Sequence, residues 1–206
     1  IQICKLMKIS ILLPYKENYS PSYPGAVSLF VNSVSKESQF KNETTIYGST
    51  KFKEKLSSNY INIPLSKEFL KSQSKEYVNK FIIEQKKEKP DIIEIHNRPS
   101  YINQLIELDT NLVLYFHNDP ISMDGSRSPQ ERVSLLNSCK KIVFNSEWSK
   151  KQFLKNLQNF YHKSKKLIVI HQSIDQKPVD IKKKKKIISF VGKLNSAKGY
   201  DIFCKA

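Results

Sequence analysis

Short apolar runs alternate with amphipathic stretches along most of this chain, and that alternation leaves few folds open. Ile9–Leu13 is an apolar run stopped by Pro14. Thr44–Tyr47, Tyr60–Ile63, Ile92–Ile95, Leu112–Phe116, Ile142–Phe144 and Leu167–Ile170 are runs of similar length. Each is short enough for a strand and too short for a buried helix. Helical patterns lie between them. Gly25 opens a helix with Val27, Phe30, Val31 and Val34 on one face. Phe69–Lys87 turns Tyr77, Val78, Phe81 and Ile82 inward; Lys86, Lys87 and Lys89 suit its negative end, and Pro90 blocks continuation. Ile102, Leu105 and Ile106 mark a further helix. Ser128-Pro129-Gln130-Glu131 is a capping box with proline at the first helical position, and Ser146 caps a helix carrying Phe153, Leu154 and Leu157.

Strands separated by helices predict an α/β, Rossmann-like, doubly wound parallel sheet over residues 7–174. A linker follows over 175–186, ending in five consecutive lysines, Lys182–Lys186. Residues 187–206 then begin a second, truncated unit. In such sheets ligands bind outside the carboxyl ends of the strands. That rule predicts a mouth gathering the Tyr15–Gly25 loop, His96-Asn97-Arg98, His117-Asn118-Asp119 and Ser146-Glu147. For His117 two readings stand: a hydrogen-bonded structural histidine, or a functional one. Arg98 either meets an anionic substrate or pairs with Glu94 or Glu107. Glu147 is explained by the helix dipole, and Trp148 by packing in the core or at a domain interface. A dinucleotide fingerprint is absent, since only Gly25 follows the first strand where three glycines are needed.

The last stretch, FVGKLNSAKGYDIF, reads as a buried strand over Ile187–Val191, a polar loop and a helix start. Lys193 and Lys198 flank that loop. Lysine charge and helix-start N–H groups together suit a phosphate or diphosphate; the alternative is two surface lysines in a lysine-rich chain.

Net charge is +16, from 35 basic against 19 acidic residues. Only Arg98, Arg127 and Arg132 are arginines. Base readout leans on the bidentate fork of Arg, so the scattered lysines disfavour nucleic acid and read as a compositional habit, with Lys182–Lys186 a solvated linker face and contact with anionic membrane the secondary reading. Cys4, Cys139 and Cys204 show no metal or redox spacing and read as core residues of a reducing compartment. No stretch has the apolar length of a membrane span. Met7 precedes the first strand, and Lys5, Lys8 and Pro14 interrupt any signal-peptide pattern. The expectation is a cytoplasmic protein, with a peripheral place at the inner face of the membrane as the secondary reading.

Several stretches, in order, resemble family-4 glycosyltransferases of the GT-B fold: MKISILLPY with Gly25 downstream, PDIIEIHN, LVLYFHNDP, KKIVFNSEWSKKQF, LIVIHQSID and FVGKLNSAKG. The resemblance implies the N-terminal, acceptor-side domain plus the first residues of the donor-binding domain. It implies a retaining hexosyltransferase that moves a sugar from a nucleotide-sugar donor to a cell-envelope polysaccharide or lipid-linked acceptor. The fragment alone would be inactive. By resemblance His117 approaches the transferred sugar as the catalytic residue. Gly25, Lys193 and Lys198 meet the donor diphosphate, no metal or cofactor is needed, and His96, Asn97, Asn118 and Ser146 line the acceptor mouth. Two departures stand out: Lys193 where the family more often has Arg, and Gln172-Ser173 in place of an Asn-Gly turn. Two rivals remain. One is another GT-B enzyme such as a nucleotide-sugar epimerase or phosphorylase; the other is a non-enzymatic basic module on anionic membrane or nucleic acid.

Overall fold

A computed structural model of the chain describes residues 7–66, 72–157, 165–173, 187–192, 194 and 196–206. The described chain divides into two compact units, one ending at Gln172 and the other starting at Ser173.

In the first unit each apolar run is a strand. β1 (Ile9–Leu12), β2 (Thr44–Gly48), β3 (Tyr60–Asn62), β4 (Ile92–His96), β5 (Asn111–Phe116), β6 (Lys141–Phe144) and β7 (Leu167–Val169) form one sheet. Its order is β3-β2-β1-β4-β5-β6-β7, and every neighbouring pair is parallel. This is the predicted doubly wound α/β fold. The order reverses between β1 and β4, so the crevice of the switch point opens beside their carboxyl ends.

Helices cover the two faces unequally. α2 (Gln73–Glu88), the short α3 (Ile102–Leu105), α4 (Pro129–Ser138) and α5 (Glu147–Leu154) contribute to the larger core. There Leu12, Ile93, Ile95, Leu114, Phe116, Ile142 and Phe144 point at Tyr77, Phe81, Ile102, Leu136 and Phe153. Tyr77 is fully buried, and its hydroxyl donates to Leu13 O at 2.9 Å. Burial of so large a polar side chain is tolerated because that hydroxyl is satisfied. α1 (Ala26–Glu37) lies on the other face, where Val27 and Val31 meet Ile11, Leu13, Ile46 and Tyr60 and Phe30 reaches Tyr115 of β5.

Arg132 of α4 is 2% exposed. Its guanidinium donates to Ser126 O at 3.0 Å, Arg127 O at 2.6 Å and Lys155 O at 2.7 Å. Burial lowers its pKa, yet the fork still ties the entrance of α4 to the exit of α5. The capping box at Ser128 is present in both directions, with Glu131 accepting from Ser128 N at 2.8 Å.

Four expectations need correction. Val34 is exposed, because α1 buries the narrower stripe Val27, Ser28, Val31, Asn32 and Ser35. Ile106 is exposed because the chain tightens into a 3-10 turn over Ile106–Leu108, which rotates it off the face shared by Ile102 and Leu105. Trp148 is exposed and takes no place in the core. In the second unit Ile187–Val191 is not a strand: no neighbouring strand hydrogen-bonds to it among the described residues, and Val191 is 94% exposed. Phe190 alone of that run packs, on Tyr200 and Phe203 of α6 (Tyr200–Lys205). The start of the helix expected from Phe69 and the linker over 175–186 lie outside the described residues. Among the described residues, no helix is long and apolar enough to cross a membrane.

Candidate functional site

The carboxyl ends of β4 and β5 carry the site. Strand parity decides which side chains meet. His96 pairs with Tyr115 in the β4–β5 register, and Glu94 pairs with Val113. Glu94 and His96 therefore share a face with Tyr115 and, one step past β5, with His117. The rings form a stack: Tyr115 and His117 lie 4.5 Å apart at 14°, and His96 and His117 5.1 Å apart at 22°. Phe30 of α1 closes one side, edge-on to His117 at 5.0 Å.

Hydrogen bonds run through this stack in a line. His96 Nδ1 is 2.8 Å from His117 Nε2, and Gln172 Nε2 is 2.8 Å from His117 Nδ1. At the other end His96 Nε2 lies 2.6 Å from Glu94 Oε1. That last contact is close but off the ring N–H axis, so it is electrostatic and not a directed hydrogen bond. His96 is fully buried. It stands behind His117 and not at the open mouth, a correction to its expected place. His117 is partly buried, and burial, followed by the neighbouring His96, pushes its pKa down to about 3. It is therefore neutral at physiological pH.

Asn97 braces the pair. It sits in the left-handed region at φ 56°, where Asn is tolerated better than most residues. Its N–H donates to Tyr115 O at 2.8 Å. The side-chain Oδ1 accepts from His117 N at 3.0 Å and Asn118 N at 3.3 Å. Asn145 Nδ2 adds a bond to His117 O at 2.8 Å. Four expected mouth residues, His96, Asn97, His117 and Asn118, are thus in direct contact.

Others are placed differently. Ser146 is occupied as the cap of α5, its hydroxyl accepting from Ser149 N at 3.2 Å. Gly25 is the N-cap of α1, with an N–H that donates to Asn18 O. A Cβ there would collide with the Glu17 carboxylate, which accepts from Ser28 N at 3.0 Å. The first turn of α1 is thus capped by the chain's own anion. Arg98 donates to Asn97 O, while Glu94 and Glu107 contact His96 and Lys86. In the second unit Lys198 ends a 3-10 turn, and Gly199, at φ 75°, caps α6. Lys193 lies outside the described residues.

No known family profile matches the chain, and no curated protein matches it. Solved structures do. HepE of Anabaena in complex with UDP is 14% identical, with a TM-score of 0.55 over 82% of this chain and 45% of that one. The same protein in complex with UDP-glucose gives a TM-score of 0.54 at 14% identity, over 81% and 44%. UDP-GlcNAc 2-epimerase from Neisseria meningitidis bound to UDP-GlcNAc gives 0.54 at 13% identity, over 79% and 45%. At these identities the likeness establishes a shared fold. The chain spans less than half the length of each.

Sequence reasoning missed two members of the site. Glu94 precedes His96 by two residues on a strand, so parity alone puts both on one face. Gln172 carried no such signal: it lies beyond the last strand, 55 residues from the histidine that it contacts.

Proposed function

We propose that this chain forms one half of the site of an enzyme acting on a nucleotide sugar. The observation that carries the reading is a neutral, braced His117 at the switch-point edge of a fold shared with chains solved with UDP, UDP-glucose and UDP-GlcNAc. A neutral imidazole can accept from a sugar hydroxyl, whereas a diphosphate needs cations or N–H donors. The site therefore suits the sugar, and the diphosphate falls to other groups. Lys193 and Lys198, in the second unit of the chain, are our candidates. Gly25 is a third, on condition that the phosphate displaces Glu17.

Two reactions fit this reading. The ordered motifs favour retaining transfer of a hexose to a glycan or lipid-linked acceptor of the cell envelope, at the inner face of the membrane and without a metal. The epimerase among the fold relatives favours inversion at a sugar carbon. Product analysis with the full-length protein separates them. UDP release that requires an acceptor marks transfer; a UDP-sugar of changed configuration without acceptor marks epimerisation. In either case His117→Ala lowers turnover, and Lys198→Ala loses roughly 2–4 kcal/mol of transition-state stabilisation. Wild-type rates in both variants overturn the site.

A further inference from the structure

We propose that Glu94 and His96 are positioning residues that hold His117 in its Nε2–H tautomer, so that the lone pair of His117 Nδ1 faces the mouth.

Donors and acceptors alternate along the line. An ionised carboxylate only accepts. With the Glu94 carboxylate 2.6 Å from His96 Nε2, its charge favours an N–H at that nitrogen even though the contact is off the N–H axis, and Nδ1 is left as a lone pair. His117 Nε2, 2.8 Å from that lone pair, must then be the donor. Its proton being on Nε2, the Nδ1 lone pair accepts from the Gln172 amide at 2.8 Å. The acceptor-only carboxylate at one end and the amide N–H at the other select the same polarity. Reversing it requires a flipped Gln172 amide together with either a protonated Glu94 or protons on both nitrogens of His96. The low pKa of His117 agrees with that geometry.

The far end of the line remains wet. The Glu94 side chain is 30% exposed, and with His96 it lines a groove of about 410 Å³, part of it open to solvent, beside Ile9, Phe30 and Val34. Around the line stand Phe30 from α1 and Tyr115 from β5, whose hydroxyl donates to Ile170 O at 3.1 Å. Burial and the charge of Glu94 push the Tyr115 pKa up to about 12, so Tyr115 brings no competing charge. Gln172 is the group a ligand would exchange with, since it occupies the only lone pair of the ring and is itself exposed. What that ligand is rests on the nucleotide-sugar reading; the tautomer does not.

Long-range proton–nitrogen spectra of the full chain, labelled with nitrogen-15 histidine, test the proposal at pH 7. His117→Asn identifies the resonances. Wild type should show His117 with a pyrrole-like Nε2 and a pyridine-like Nδ1. Glu94→Leu should move both toward the exchange average, and Glu94→Gln, which keeps a carbonyl acceptor, should restore the wild-type pattern. An Nδ1–H form in wild type overturns the proposal without any variant. So does an unchanged spectrum in Glu94→Leu. A UDP-sugar titration in the same sample keeps the two readings apart. A single Nε2–H tautomer that ignores UDP-glucose and UDP-GlcNAc supports the positioning role and counts only against the nucleotide-sugar site.

Discussion

Holding His117 neutral links the site to acid stability. In the unfolded chain the imidazole titrates near its ordinary 6.5, while in the fold it does so near 3. The sign follows from proton counting. Between those values the unfolded state binds a proton that the native state refuses, so stability falls as pH drops through this window. Above 6.5 neither state is protonated and the effect vanishes. Going from pH 7 to pH 4, the unfolded ensemble gains about 3 kcal/mol from this one group. Titrating groups remote from the site contribute to the wild type and to His117→Asn alike, so the comparison isolates the coupled His96–His117 pair. Asn is smaller and unstacks from Tyr115, which costs stability at every pH. The quantity to read is the change with pH. Urea unfolding of both proteins at pH 7, 6, 5 and 4 should show the wild type losing about 3 kcal/mol more than the variant over that range. Parallel losses would refute the claim that burial beside His96 keeps the ring neutral.

Arg132→Met should destabilise the first unit by about 3 kcal/mol or more, because three carbonyls lose their buried donor; urea midpoints measure it, and a loss under 1 kcal/mol would contradict the burial. Gly125→Ala should cost at least about 2 kcal/mol, since Gly125 has φ 88° and a Cβ would meet Ser100 N at 2.6 Å; thermal melts report it. Ser128→Ala should cost about 1 kcal/mol from the lost capping box, visible as a small fall in melting temperature with unchanged helical circular dichroism.

The strands were legible because a parallel sheet buried on both faces leaves continuous apolar runs, and β1, β4, β5 and β6 each stand where such a run lies. Side-chain facing was less legible where a helix changes pitch or covers only part of a sheet. Ile106 follows a helical count into a 3-10 turn, and Val34 follows one onto the rim of a groove. The terminal run failed for another reason. A strand is defined by a partner, and apolar composition at Ile187–Val191 says nothing about whether one is there. Of the site, strand-exit polarity located His96, Asn97, His117 and Asn118. It could not tell the fully buried histidine from the partly buried one, because that depends on the rings of Tyr115 and His117 both stacking against His96.

Asn97 separates the His117 ring from the loop that follows it. His117 is held by a side chain from the adjacent strand exit, through its own backbone N–H, and by Asn145 from the next exit along. The exposed side chains of that loop, Ser122, Asp124 and Arg127, can thus vary in charge without retuning the imidazole, while its backbone stays fixed by Arg132 and by the close approach of Gly125 to Ser100. The same division makes those three side chains the natural places to graft altered charge, and Asn97 the residue to leave untouched.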